Sequence, residues 1–262
     1  AATVTSTSGS AATGSADTTA ADGSGTEDST SGDQGESTDD AAESSSTGPE
    51  PITDWAMYFS GDGALSSDSA IDLALTEDFT VEAWIRIDSF DAHGTLVQHR
   101  GVGTTGWRVW ISSGPSRIYF GYYDNNGAWT EVWGPPFSLI GNGWHHVAAV
   151  KSGMMISLFV NGDYVGAQAG QAAISAPVVP LLVGSDGAED LLGFIAIDDL
   201  RISQGARYTA AFDPELELDA DADTRVMLLL DEGVGLVCAD TGSVGAAFST
   251  SMASWTEGNT EG

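Results

Sequence analysis

Three short segments constrain this chain most. In Phe79-Thr80-Val81-Glu82-Ala83-Trp84, apolar side chains fall at every second position, the period of a strand with one buried face. Phe159-Val160-Asn161-Gly162 reads as a second strand and ends on Asn-Gly. Both turn residues tolerate the positive φ that a type I′ hairpin demands. Between them lies Trp144-His145-His146-Val147-Ala148. Further strands are expected at Trp55 to Phe59, Ile71 to Leu75, Thr95 to Arg100, Trp107 to Ile111, Arg117 to Tyr123, Trp129 to Trp133, Tyr164 to Ala167, Leu181 to Gly184, Phe194 to Ile202 and Arg225 to Leu230. Turn residues separate them, among them Ser60-Gly61-Asp62-Gly63 and Asp124-Asn125-Asn126-Gly127. Many short strands with regular turn signals point to an all-β, two-sheet antiparallel sandwich or jelly roll. No helix is expected beyond a turn near Gly205 to Ala211, and no internal repeat is visible.

The first fifty residues differ in kind. Of these, 28 are Ser, Thr or Gly, and Val4 is the one sizeable apolar residue. Such a stretch cannot bury enough surface to offset its ordering entropy, so residues 1–52 read as a disordered acidic linker. Residues 53–256 read as the sandwich and 257–262 as a disordered C-terminus. The net charge is −30, of which the first fifty residues carry −10, with ten acids and no Lys or Arg. The folded part has seven Arg and Lys151 as its whole basic inventory. That balance argues against nucleic acid, whose binding depends on neutralising phosphates, and against an anionic membrane surface. No stretch has the length of a membrane span. Cys238 is the one cysteine, so no internal disulfide can form, and its neighbours offer no base to activate a thiol. Beginning at Ala1 rather than Met, the chain reads as a processed or trimmed form, removal of a signal peptide being one route to it.

The ordered segments FTVEAW, WHHVA and FVNG, followed by Gly193-Phe194-Ile195-Ala196-Ile197-Asp198-Asp199-Leu200-Arg201, resemble the laminin-G-like branch of the concanavalin-A-like jelly rolls. Such domains resemble pentraxins as well, and they serve in extracellular recognition. The linker is similar to the segment that follows the lipidated cysteine of bacterial surface lipoproteins, which implies secretion or the cell surface and a lipid anchor upstream of Ala1.

Strand parity nominates a binding face. With Val109, Ile111, Ile118, Phe120 and Tyr122 turned between the sheets, Arg108, Trp110, Arg117, Tyr119 and Tyr123 share the opposite face. Trp129 and Trp133 on the next strand and Asn125 in the loop adjoin it. Aromatic rings stack on the C–H faces of sugars, while Arg and Asn hydrogen-bond the hydroxyl rim. The candidate ligand-binding set is therefore Arg108, Trp110, Arg117, Tyr119, Tyr123 and Asn125, for a glycan or an extracellular protein. The other reading is that these aromatics pack against one another.

The family resemblance implies a structural calcium ion where the first and last strands meet, held by Asp198 with oxygens from Gly61 and Asp62; the other reading is that Asp198 caps a bulge or bonds backbone amides. Asp219-Ala220-Asp221-Ala222-Asp223 imitates the start of an EF-hand loop, but Thr224 stands where Gly is needed and Leu230 where Glu is needed. It reads as an acidic loop. Related glucanases carry E-x-D-x-x-E on one strand, and this chain lacks that acid pair. His145 and His146 point to opposite sheet faces and form no metal pair, and His146 reads as a packing residue. The sequence thus favours a non-catalytic, calcium-stabilised recognition module. A divergent glycoside hydrolase and a structural surface module without a dedicated ligand are the alternatives.

Overall fold

The structure is a computed structural model that describes residues 54–89, 93–112, 117–136, 139–141, 143–171, 173–184 and 192–260. The expected linker, 1–52, lies outside them. Fourteen strands follow in order: β1 (Trp55–Ser67), β2 (Phe79–Ser89), β3 (Gly94–Arg100), β4 (Gly106–Ser112), β5 (Arg117–Tyr123), β6 (Trp129–Trp133), β7 (Trp144–Ser152), β8 (Met155–Val160), β9 (Asp163–Ala169), β10 (Leu182–Val183), β11 (Leu192–Gln204), β12 (Thr224–Leu228), β13 (Val237–Ala239) and β14 (Ala247–Glu257). The named strand pairs are all antiparallel. One layer is β6-β5-β4-β3-β10 and the other β11-β2-β7-β8-β9, and β1 belongs to both.

β1 can serve both layers because it is bulged. Its pairing with β11 shifts between Ser60 and Gly61, and that with β14 between Phe59 and Ala64. Gly61 turns there at φ +59, and Met252 on β14 does the same at φ 56. Beyond the bulge, Leu65 and Ser66 pair with β10. The stretch expected as a turn at 60–63 is thus the corner of one long strand. Extra residues of this sort bend and twist a strand, which lets it pass from sheet to sheet.

The core between the layers follows the predicted parity. Phe79, Val81, Ala83 and Ile85 of β2 meet Trp107, Val109 and Ile111 of β4 and Ile118, Phe120 and Tyr122 of β5, all buried. The Phe79 ring sits edge-on to Phe120 at 5.8 Å. Asn161 and Gly162 form the β8–β9 turn at φ 50 and 76, as the hairpin signal requires.

Several expectations shift. Ile71 to Leu75 is no strand: Ile71 makes an isolated bridge to Val179, while Leu73 and Leu75 fill the core as a loop. Residues 205–211 form bends, and their Tyr208 packs with Phe212 over Phe159 on the outer side of the second layer. β13, too short to show a period, was not expected. The end of the chain also differs. Gly258 and Asn259 are buried against Asp54 and Asp198, so the fold runs past residue 256, where a disordered terminus was expected to begin. Cys238 is a buried core residue, its thiol pushed up to about 12 by burial.

Candidate functional site

Two sites emerge. The first is the outer face of β3–β6. Register places Trp110 opposite Tyr119 and Tyr119 opposite Trp133, a row of three rings across three strands. Trp110 and Tyr119 stack at 5.0 Å and 18°, and Trp133 follows at 6.1 Å. A second pair, Tyr123 and Trp129, is opposed at the far end of β5, with rings 4.7 Å apart. Between the rows stands Gly121. A Cβ there would lie 2.3 Å from Cζ2 of Trp129, so the glycine is what lets this indole lie across the strand. Trp129 thereby reaches Trp110 at 5.9 Å and joins the rows.

Arginines complete the surface. The Arg108 guanidinium lies 4.6 Å from the Trp110 ring centre, and Arg100 on β3 lies 5.6 Å from Tyr123 and 5.5 Å from Trp129. Arg117 flanks the first row, one outward position before Tyr119. Glu131 accepts a hydrogen bond from Trp129 Nε1 at 2.8 Å. Asn125 is exposed in the turn after β5, which the Asp124 carboxylate caps by accepting the N–H groups of Asn126 and Ala128.

Parity reads this face correctly, with one correction. Trp110 was expected to be exposed, but it is 7% exposed, because Tyr119, Trp129 and Arg108 close over it. It is the floor of the site. Tyr119, Tyr123 and Trp129 are half-buried, and Trp133 is the most open ring at 45%. Arg100 also lies on this face and was not expected there, while Trp129 and Trp133 were expected to adjoin it, outside the ligand-binding set. The signal was there, since Trp129, Glu131 and Trp133 alternate on β6 as Gln98 and Arg100 do on β3.

The second site lies where the ends of the chain's fold meet. On β11 three steps, Asp198 to Arg201, oppose two on β2, Trp84 to Glu82, which is a bulge. Asp199 turns it at φ 49. Asp198 is 3% exposed and Asp199 7% exposed. Carboxylate oxygens of Asp54, Asp198 and Asp231 lie within 4.8 Å of one another. Asn259 donates its N–H to Asp198 Oδ2 at 2.9 Å, Trp55 donates to Asp231 at 3.2 Å, and Leu218 donates to Asp199 at 2.9 Å. Gly258 permits this crowding, since a Cβ there would stand 2.8 Å from the Asp54 carboxyl. A cavity of about 410 Å³ opens on these residues.

Burial raises the Asp198 carboxyl to about 8, with added repulsion from Asp199, Asp54 and Asp231. Burial likewise raises Asp199 to about 7, and burial, with a hydrogen bond that protonated Asp54 donates to Asp231, raises Asp54 to about 6. The side-chain amide of Asn259, 5% exposed, has neither its oxygen nor its nitrogen partnered. Crowded carboxylates and an orphaned buried carbonyl form a hard-oxygen donor set, which fits calcium. The residues that would hold it are Asp198, Asp54, Asp231 and Asn259.

Asp198 was the expected anchor, but its expected partners are elsewhere. It stands opposite Trp84 on one side and beside Ala56 on the other, whereas Gly61 pairs with Leu192. Five residues of β1, roughly 16 Å at strand spacing, separate Ala56 from Gly61. Asp62 shares that distant corner, and its side chain lies outside the described residues. Asp54 and Asp231 were missed because neither lies in a strand pattern or a ligand-spacing motif that would single it out.

The remaining polar residues have structural work. Glu82 is buried and binds Arg201 at 2.8 Å, with Tyr208 donating to it at 2.8 Å and His146 3.3 Å away. His146 packs under Tyr208 and Phe212, as a packing residue would. In the acidic run, Asp221 pairs with Arg207 at 2.7 Å, and that hydrogen bond holds its carboxyl well below the usual range.

Residues 59–211 match a laminin-G model of the Concanavalin A-like lectin/glucanases superfamily, and the chain belongs to that family. Among solved structures it is similar to a Bacteroides ovatus protein named as a candidate carbohydrate binder. The TM-score is 0.58 at 18% identity, over 80% of this chain and 61% of that one. It is also similar to a heptameric SAP-like pentraxin of Limulus polyphemus, with a TM-score of 0.53 at 14% identity over 79% and 97%. Domains LG4-5 of the mouse laminin alpha1 chain match at 18% identity and a TM-score of 0.47, over 62% and 45%. The chain thus spans about three-fifths of the first and less than half of the last. Among curated proteins, none matches in sequence. No helix of the described residues is long and apolar enough to cross a membrane.

Proposed function

We propose that this domain is a non-catalytic recognition module that binds a glycan on the outer face of β3–β6. The observation that carries the reading is the two ring pairs Tyr119–Trp133 and Trp129–Tyr123, joined through Trp110 beneath them and edged by arginines. Partly exposed aromatic rings match sugar C–H faces, and guanidinium groups match the hydroxyl rim. Aromatic patches on a surface mark interaction sites. The similarity to a candidate carbohydrate binder agrees in fold. Hydrolysis by either stereochemical route needs two carboxyl groups. On the outward rows of this face, the described residues supply Glu131 alone, and Trp129 engages it.

Calcium at Asp198, Asp54, Asp231 and Asn259 has a structural role in this reading. It ties β11 to the residues just before β1 and just after β14. Residues 1–52 act as a tether that holds the domain away from a cell surface, secreted or lipid-anchored. The test is a glycan array probed with the wild type, Tyr119→Ala and Trp133→Ala, with and without calcium. Loss of the wild-type hits in both variants, with melting temperatures kept, supports the glycan site. The burial of Trp110 favours a second, structural reading, in which the rings merely cover one another. Under that reading the array stays blank or both variants bind like the wild type.

A further inference from the structure

We infer that Asn126 is a site of spontaneous covalent modification, deamidation to aspartate and isoaspartate, and that the fold selects it over Asn161. Each precedes a glycine, at Asn126-Gly127 and Asn161-Gly162. A third such pair ends on Gly143, and its Asn142 lies outside the described residues. In an Asn-Gly pair the backbone nitrogen of the glycine attacks Cγ of the asparagine side chain. A C–N bond forms, the N–H proton is lost and ammonia leaves, which closes a succinimide ring. Water then opens the ring at either carbonyl. One opening gives aspartate, and the other gives isoaspartate, whose backbone runs through the former side chain. Water is the one other reactant. Glycine favours the attack because no Cβ shields its nitrogen.

The two sites differ in what holds the amide. Asn161 Oδ1 accepts the His146 N–H at 3.0 Å, and its Nδ2 lies 3.1 Å from His145 Nδ1. Gly162 is clamped as well. Its carbonyl accepts the Phe212 N–H at 3.1 Å, and a Cβ on it would stand 1.8 Å from the Phe212 oxygen. Ring closure there must break both side-chain bonds and part the glycine from Phe212. Asn126 is exposed, and its side chain has no hydrogen-bond partner among the described residues. Its own N–H and that of Gly127 both go to Asp124, at 2.8 Å to the carboxylate and 3.0 Å to the carbonyl. Opening that one turn frees the attacking nitrogen. Two hydrogen bonds to the amide should slow Asn161 about thirtyfold relative to Asn126.

The consequence falls on the outer face of β3–β6. The turn joins Tyr123 to Trp129, which stand opposite each other. Deamidation sets a new carboxylate beside Asp124. The isoaspartyl form also adds a backbone carbon between the two N–H groups that the Asp124 carboxylate holds. The Tyr123–Trp129 pair should therefore loosen as the protein ages. The chemistry stands whether or not this face binds a glycan.

The test incubates the folded chain in warm, mildly alkaline buffer, with a parallel sample in guanidinium chloride. Tandem mass spectrometry, after digestion at mildly acidic pH, follows each asparagine. Unfolded, Asn126 and Asn161 should react at similar rates. Folded, Asn161 should fall about thirtyfold behind Asn126. Asp124→Ala, which loosens the turn, should speed the folded reaction at Asn126 about fivefold, the scale of one hydrogen bond. Aged wild type should lose near-ultraviolet circular dichroism that Asn126→Ser, aged alongside, keeps. Equal protection of both sites, faster reaction at Asn161, or a rate at Asn126 that Asp124→Ala leaves unchanged overturns the selection of Asn126. An unchanged spectrum after conversion overturns its effect on the ring pair.

Discussion

Calcium removal is the most informative perturbation of this domain. Asp198, Asp199 and Asp54 hold protons up to about 8, 7 and 6 when folded, against 3.8 for an ordinary Asp. Between those values the folded protein binds more protons than the unfolded chain. Without calcium, its stability is therefore greatest near the acid end of that window and falls as pH rises to about 8. Calcium needs the deprotonated carboxylates, so its benefit should grow over the same range. At a hundredfold excess over Kd, binding to the native state alone adds about 2.7 kcal/mol. For a domain of this size each kcal/mol moves the melting temperature by about 2–4 °C, which gives a rise of about 5–10 °C at pH 8 and little at pH 5. Asp198→Asn keeps an oxygen for the Asn259 N–H but removes a repelled charge. It should lose the calcium response, yet melt no lower than the wild type in chelator at pH 8. Scanning calorimetry at both pH values, with calcium and with chelator, reads all of this. If Asp198→Asn lowers the melting temperature equally with and without calcium, Asp198 is a hydrogen-bonding anchor and the metal site falls.

Four other substitutions test the architecture. Trp107 is 1% exposed in the core, so Trp107→Ala should cost about 3–5 kcal/mol in urea unfolding, whereas Trp133→Ala, 45% exposed, should cost little. Equal costs would mean that the β4–β6 faces are assigned the wrong way round. Gly121→Ala should push Trp129 off the strand, seen as a changed near-ultraviolet circular dichroism signal and lost glycan affinity. An unchanged spectrum would show that the indole does not lie across Gly121. Glu82→Gln leaves Arg201 without its buried carboxylate partner, with only the exposed Glu215 at 3.8 Å, and should cost about 3–5 kcal/mol, and it should raise protease cleavage near Tyr208. A loss below about 1 kcal/mol would mean that Glu82 does not anchor that loop.

Much of this molecule was legible along the chain because a strand writes its two faces into alternate residues. Phe79, Val81 and Ile85 point inward and Arg108, Tyr119 and Tyr123 outward by that rule alone, and Asn161-Gly162 announced its own turn. Asp198 was nominated by resemblance to a family motif. What alternation cannot supply is register, because pairing is set by which distant strands come to lie side by side. Sliding β1 against β11 decides whether Asp198 meets Gly61 or Asp54, and the bulge at Asp199 decides that two adjacent acids are both buried. Burial of Trp110 is likewise a property of three strands at once. Its parity sets the side it faces, but only the register with Tyr119 and the bare Cα of Gly121, which admits Trp129, put a roof over it. The one-dimensional pattern determined the strands and their sides. Which acids and which rings share a site was decided by the tertiary pairing, since those residues come from segments with no local signal for one another.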